Sequence, residues 1–255
     1  MIVLSNCLAE KTDEGCIKLA VSLVKRIKRR RPDTVVVTCG EAEAIGDMHF
    51  PVNRLMLGRG LVRFLLSRRE SLLYIPSVAR ARAMAARIFC LSLFARRGMK
   101  VVLVMQYDTG PLAGLLLRLS GAELITLSRE SFEYYRGIVG EKASQLKAGV
   151  DCERFVPVTA EEKLRLREKY GLPADKPIVL HVGHLKGRRN LGALRAVDGR
   201  YHCVLVLSGY SPEAREEELL HELRAQANLS IIDSYQPHIE ELYQLSDVYL
   251  FPVQN

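Results

Sequence analysis

Short runs of β-branched and aliphatic residues alternate with segments of helical period along this chain, and the alternation starts twice. In the first half, residues 2–4 predict a strand, and residues 16–28 predict a helix with Ile17, Leu19, Ala20, Leu23, Val24 and Ile27 on one face. Pro32 and Asp33 break that helix, and residues 34–38 form a second β-branched run ending at Cys39-Gly40. Further on come a helix over 79–97 stopped by Gly98, a strand over 100–105, and a helix over 111–119 closed by Gly121. A strand over 124–127 and a helix over 130–139 complete the half. The pattern then restarts: strand 178–182, short helix 190–197, strand 201–207, helix 212–226, strand 229–232, helix 239–245 and strand 248–251. Near-continuous apolar strands separated by helices demand parallel sheets covered on both faces. The chain therefore reads as two α/β units in tandem, the first Rossmann-like, with domains expected at 1–155 and 156–255.

Between the two series, Thr159 followed by Glu162 forms a capping-box pattern, with the Thr hydroxyl accepting from an early helix N–H and Glu162 reaching back. Gly171 and Pro173 end that helix after about three turns. No apolar run reaches the roughly 18 residues of a spanning helix, because arginines such as Arg80, Arg82, Arg87, Arg96 and Arg97 interrupt each candidate. The start of the chain lacks a basic segment ahead of an apolar core, so no signal peptide is expected and the location is read as cytoplasmic. The six cysteines are scattered singly and read as buried free thiols of a reducing compartment. Charge is uneven. Residues 1–150 hold 24 Lys and Arg against 13 Asp and Glu, a balance of +11, whereas residues 151–255 hold 13 against 16, a balance of −3. A basic first domain points to an anionic partner, nucleic acid or an acidic membrane surface, or else to an Arg-rich solvated face.

In open parallel sheets, ligands bind beyond the carboxyl ends of the strands, where loops lead into helix N-termini. The loop that best fits is GHLKGRRN, residues 183–190, directly after the strand over 178–182. It carries two glycines with His184, Lys186, Arg188 and Arg189, a composition suited to a diphosphate; the alternative is a solvated basic loop. Gly209 in LSGY either lets a ligand approach the backbone or makes a turn. Gly15 is the one glycine of the first loop, and Gly58-Arg59-Gly60 neither follows an expected strand nor completes a GxGxxG fingerprint. His181 and His202 lie within apolar strands and read as core or sheet-edge residues. Gln106 and Asp108 close the strand over 100–105, Asp108 as either a turn cap or a substrate-facing acid. No cluster has metal-ligand spacing.

The junction LKAGVDCERFVPVTAEEKLRLREKYGLPADKPIVLHVGHLKGRRNL resembles the linker and donor-domain start of retaining glycosyltransferase family 4. The matching residues are Gly149, Val150, Asp151, Phe155, Pro157, Gly171, Leu172, Gly183, Arg189, Asn190 and Leu191. Weaker likeness covers the rest of the chain, including Ser128 and the closing LYQLSDVYLFP. The resemblance implies a GT-B fold of two Rossmann-like domains with parallel sheets, the second incomplete, the first holding the acceptor and the second the nucleotide sugar. It further implies that Gly183, His184, Arg188 and Arg189 hold the donor diphosphate, Arg189 standing at the family's basic position. By the same resemblance Gly15, Ser208, Gly209 and Tyr235 would lie near the donor, and Gln106 and Asp108 on the acceptor side. The family's paired glutamates are expected beyond Asn255, so the sequence reads as a C-terminally truncated chain whose own activity is expected to be low.

The implied activity is metal-independent, cofactor-free transfer of a hexose from a nucleoside-diphosphate sugar to a hydroxyl acceptor, glycan or lipid-linked, with retention. The basic first domain would then meet an anionic membrane surface on the inner face of the cell membrane. Two alternatives stand beside it: a non-catalytic nucleotide-sugar-binding fragment and a GT-B-type sugar-nucleotide epimerase. Nucleic acid is disfavoured as partner, since aromatic residues make up 7% of the chain, with no Trp, and are not interleaved with the basic ones.

Overall fold

The computed structural model describes residues 1–12, 14–103, 110–185, 189–207 and 214–252, with residues 103 and 214–217 described by their backbone. The chain divides into two compact units, Met1–Gly149 and Val150–Asn255. Both are α/β with parallel sheets, of seven and four strands.

The first unit holds strands β1 (Ile2–Ser5), β2 (Val35–Cys39), β3 (Met48–Phe50), β4 (Leu72–Ile75), β5 (Met99–Leu103), β6 (Glu123–Thr126) and β7 (Ala143–Gln145). Their order is β3-β2-β1-β4-β5-β6-β7, every neighbouring pair parallel. The helices are α1 (Gly15–Arg30), α2 (Arg59–Ser67), α3 (Ala81–Ser92), α4 (Gly110–Ser120) and α5 (Arg129–Val139). Strand side chains alternate between faces. Ile2, Leu4, Tyr74, Val101 and Leu124 pack with buried residues of α2, α3, α4 and α5. Val3, Val36, Ile75 and Val102 pack on the other face with Ala20 of α1 and its half-buried neighbours.

Several of these elements escape the periodicity. Strand β3 is three residues of MHF without a β-branched residue, β7 is three residues, and the apolar run of β4 is too short to separate from a turn by pattern. Helix α2 lies between them, so its whole connection was unread. The expected helix over 79–97 is shorter: α3 ends at Ser92, whose hydroxyl donates to Phe89 O at 2.7 Å, and two further turns lead to Gly98. Gly58 does follow a strand, β3, after a loop, but its role is packing: a Cβ there would lie 2.2 Å from Pro51 O.

The second unit holds β8 (Ile178–Gly183), β9 (His202–Leu207), β10 (Leu229–Ile232) and β11 (Val248–Tyr249), in the order β10-β9-β8-β11, all parallel. Its helices are α6 (Ala160–Lys169), α7 (Ala214–Arg224) and α8 (Ile239–Leu245). The expected short helix over 190–197 is a 3-10 turn, Leu191–Ala196. Thr159 caps α6, its hydroxyl accepting from Glu162 N at 3.2 Å. Glu162 does not reach back as a capping box requires; its carboxylate takes two bonds from Arg165 at 2.6 and 2.7 Å, because that ion pair is within one helical turn. The thiols are all free, but not uniformly buried: Cys7, Cys39 and Cys203 are buried, Cys16 and Cys90 half-buried, and Cys152 exposed. Burial pushes the Cys7 thiol up to about 11 and Cys39 up to about 12.

One ion pair, with its arginine buried and its carboxylate a third exposed, ties the second unit together. Arg167 on α6 donates to Asp247 at 2.6 Å, to Leu245 O at 3.1 Å, and to Ala174 O and Lys176 O at 3.2 and 3.3 Å. Asp247 in turn accepts from Ile178 N at 2.7 Å and Lys163 Nζ at 2.6 Å, while its own N–H donates to Ile178 O at 2.9 Å. That reciprocal clamp sets the register of β11 on β8, Val248 opposite Val179.

Replacing Asp247 with Ala takes the counter-charge from the buried Arg167 guanidinium and an acceptor from Ile178 N–H, and equilibrium denaturation should show a loss of about 1–3 kcal/mol. Desolvation raises the Asp247 carboxyl, but the bonds from Lys163 and Ile178 N–H with the charges of Lys163 and Arg167 outweigh it and hold the group below its ordinary value. Its folded-state value is depressed, so its contribution is present above the ordinary carboxylate range and is lost as pH falls through the folded value. The gap between wild type and Asp247→Asn should therefore narrow on acidification.

Candidate functional site

In the second unit the strand order reverses at β8: the chain goes from β8 outward to β9 and β10, then returns to place β11 on the other side. Such a reversal of strand order is where open α/β sheets hold ligands, beyond the carboxyl ends of the strands. The loop after β8 is residues 184–190, the basic segment singled out in the sequence. Leu185 and Leu191 are buried in one apolar cluster with Val179, Cys203 and Leu205 and so pin the loop at both ends. Asn190 turns the chain into the 3-10 segment in the left-handed conformation, φ 50° and ψ 41°, which asparagine tolerates better than most residues. His184, just before the first anchor, and Arg189, between the two, are half-buried. Arg188, with Lys186 and Gly187, lies outside the described residues.

The end of β8 is shaped by a missing side chain. A Cβ on Gly183 would stand 3.1 Å from His181 Nε2 and 3.8 Å from Arg189 Nε. The glycine thus leaves bare backbone against which an imidazole and a guanidinium close in. Arg189 lies over the Phe251 ring at 5.1 Å from its centroid, a contact that orients the planar guanidinium. His181 is fully buried, its ring nearly parallel to those of Tyr249 and Phe251 at centroid distances of 6.3 and 6.1 Å. Its Nδ1 bonds Leu250 O at 2.8 Å. A carbonyl only accepts, so Nδ1 carries the proton and the neutral ring presents a bare Nε2. That atom has no hydrogen-bond partner among the described residues. Burial depresses the His181 pKa below its ordinary value, against the bond to Leu250, and the Arg189 charge depresses it further.

His181 read from sequence as a core or sheet-edge residue; it is a core residue, and it also borders Gly183. His202 is half-buried and bonds Ser230 Oγ at 2.8 Å. Tyr235 is exposed in the loop after β10, two strands from β8. That loop is tied to the start of the unit by Arg154, which pairs with Glu240 at 2.5 Å and donates to Pro237 O. Ser208 and Gly209, after β9, lie outside the described residues, as do Gln106 and Asp108 after β5.

The first unit has its own reversal between β1 and β4. Asn6, immediately after β1, spans it: Nδ2 donates to Ser77 Oγ at 2.8 Å, and Oδ1 accepts from Ser77 N at 3.0 Å and Tyr74 OH at 3.2 Å. Beside it, at the carboxyl ends of β1 and β2, opens a cleft of about 420 Å³ lined by Glu14, Glu41, Glu43, Arg54 and Arg87, among others. Glu43 accepts from Glu10 N at 2.8 Å, and Arg87 donates to Arg54 O at 3.0 Å. Gly15 is the first residue of α1 on the rim, and the space a Cβ would take there is open. None of the other cleft residues was picked out in the sequence. Their signal was position: Asn6 and Glu41 follow the ends of readable strands, but Ser77 follows β4, which the periodicity did not show. Among the described residues, no group of three His, Cys, Asp or Glu side chains is arranged to hold a metal ion.

No protein-family model matches the sequence, and no curated protein matches it significantly. Solved structures do resemble it in fold. The crystal structure of Anabaena HepE in complex with UDP aligns with a TM-score of 0.74 at 15% identity, over 99% of this chain and 73% of that one. HepE in complex with UDP and glucose aligns with a TM-score of 0.70 at 15% identity, over 97% of this chain and 73% of that one. The fold is GT-B-like, with two parallel sheets.

The His181 ring should titrate in NMR with a midpoint below 6.5, and Arg189→Ala should raise that midpoint by removing a neighbouring positive charge. The folded state disfavours the protonated ring, so stability falls as pH drops below about 6.5, the unfolded-chain value. His181→Phe should lack that part of the acid sensitivity.

Proposed function

We propose that this protein is a glycosyltransferase that moves a hexose from a nucleoside-diphosphate sugar to a hydroxyl on a glycan or lipid-linked acceptor, with retention at the anomeric carbon. The carrying observation is the end of β8, where the bare backbone of Gly183 lies close to Arg189 at the reversal of strand order. A diphosphate needs close backbone approach and a fixed cation, and the end of β8 supplies both. The similarity in fold to HepE, whose crystal structures hold UDP and glucose, supports the same reading.

In this reading Arg189 donates to the diphosphate, with His184 and Arg188 as further cations from the same loop. Gly183 admits the phosphates. Ser208 and Gly209 line the donor at the end of β9, Tyr235 stands toward the base, and Gly15 is assigned to the donor as well. As the bond to the sugar breaks, negative charge grows on the departing diphosphate, and an oriented guanidinium stabilises that charge more than the ground state. No metal is required for this step, since the protein's own cations meet the charge. Acceptor hydroxyls are assigned to the first unit, to the cleft beside Asn6 and Glu43 and to Gln106 and Asp108. The balance of +11 over residues 1–150 suits an acceptor presented at the anionic inner face of the cell membrane. No helix among the described residues is long and apolar enough to cross a membrane.

Thermal melting in the presence of UDP, GDP and ADP tests the donor site. One diphosphate should raise the melting temperature, and Arg189→Ala should weaken its binding by about ten- to a hundred-fold, the worth of a charge-assisted hydrogen bond. No stabilisation by any of the three, or one that Arg189→Ala leaves intact, counts against the site.

A further inference from the structure

Helix α4 has more apolar surface than its packing uses. Ala113 and Leu117 are buried in the core of the first unit, and Gly114 lies against Ile138 of α5. The face directed away from the core carries Leu112, Leu115 and Leu119, which are 66%, 50% and 62% exposed. Their spacing of three and four residues places all three on one stripe. Leu93, at the end of the neighbouring α3, is 63% exposed and extends the apolar surface. Exposed leucines scattered singly are ordinary, but four on adjoining helices form a patch.

What surrounds the patch decides its partner. Arg82 stands at the start of α4, its Nη2 3.9 Å from where a Cβ of Gly110 would lie. At the other end, Arg96 and Arg97 follow Leu93 and are exposed, and Arg118 is exposed on α4 itself. None of these four arginines has an ion-pair partner among the described residues. Residues 71–122 carry seven Lys and Arg and a single acid, Asp108. An apolar stripe edged by arginines and nearly free of carboxylates matches one surface in charge and polarity, the headgroup region of an anionic bilayer. A protein partner with an apolar face would ordinarily bring carboxylates or hydrogen-bonding groups to be met in kind, and this stripe offers few polar groups between the leucines. We propose that the α3–α4 face docks the first unit on anionic membrane, with Leu112, Leu115 and Leu119 entering the headgroup boundary and Arg82, Arg96, Arg97 and Arg118 engaging lipid phosphates. The inference deepens the acceptor side of the reading above, and lipid binding is measured without nucleotide, so either can fail independently of the other.

The test is flotation of the full chain with phosphatidylcholine vesicles, with and without about a third phosphatidylglycerol, at moderate salt. Wild type should float with the anionic vesicles alone. The triple variant Leu112→Ser, Leu115→Ser, Leu119→Ser should lower partitioning about ten-fold or more while leaving the melting temperature unchanged, because the leucines are exposed. Arg96→Gln with Arg97→Gln should lower it about five-fold for each charge removed. A charge-matched control on α1, Lys28→Gln with Arg29→Gln, should have a smaller effect than the Arg96 and Arg97 pair. Three results would each overturn the proposal: no preference for anionic vesicles, a control that weakens binding as much as the arginine pair, or serine substitutions that lower the melting temperature without changing flotation. The last would mean that protein, not lipid, covers the stripe.

Discussion

The ion pair between Arg167 and Asp247 is the constraint on which the second unit rests. A buried guanidinium is tolerable only when its donors are all engaged, and here one carboxylate and three carbonyls engage them. The same carboxylate holds the first residue of β8, and the backbone of Asp247 holds it a second time. By fixing where β11 begins relative to β8, this clamp also fixes what stands at their far ends: Leu250 against His181, and Phe251 beneath Arg189. The geometry of the site is thus set at the opposite end of the strands from where a ligand would bind.

The two units solve the same problem with the same order of their first four strands, each with a reversal beside its first strand. They differ in what they place there. In the first unit the reversal is bridged by Asn6, whose side chain is occupied by Ser77 and Tyr74, and the open volume lies to one side among glutamates and arginines. In the second unit the reversal is spanned by His181, bonded to Leu250 O, and by Arg189 over Phe251. Gly183 leaves bare backbone there, His181 turns a lone pair toward it, and Arg189 lies close to it. A carboxylate-bearing cleft suits hydroxyl ligands, and a cation beside bare backbone suits phosphate, so the division of labour proposed for the units follows from their chemistry.

Much of this was legible in the sequence because parallel sheets leave a strong trace: long apolar strands such as residues 178–183 and 202–207 are buried on both faces and admit few polar residues. The basic loop was legible for the same reason, since its position after such a strand marks it. What was not legible falls into two kinds. Strands β3, β4 and β7 and helix α2 are short, and three or four residues carry too little pattern to separate a strand from a turn. The other kind is pairing across long separations. Arg167 and Asp247 are eighty residues apart, and nothing local marks Arg167 as buried or the two as partners. His181 read as a core or sheet-edge residue on the polarity of its neighbours; it is a core residue, and that reading was silent about the direction of Nε2. Glu162 read as half of a capping box, a local rule that lost to an equally local ion pair with Arg165.

The central claim is that the site at the end of β8 binds a nucleoside diphosphate. Its most direct test is a backbone-amide NMR titration of the chain with UDP, GDP and ADP in turn, with the resonances of both units assigned. One of them should shift Gly183, His184, Arg189 and Asn190 most strongly, together with the His181 ring. Shifts confined to the cleft around Asn6 and Glu43, or none with any diphosphate, would contradict that claim.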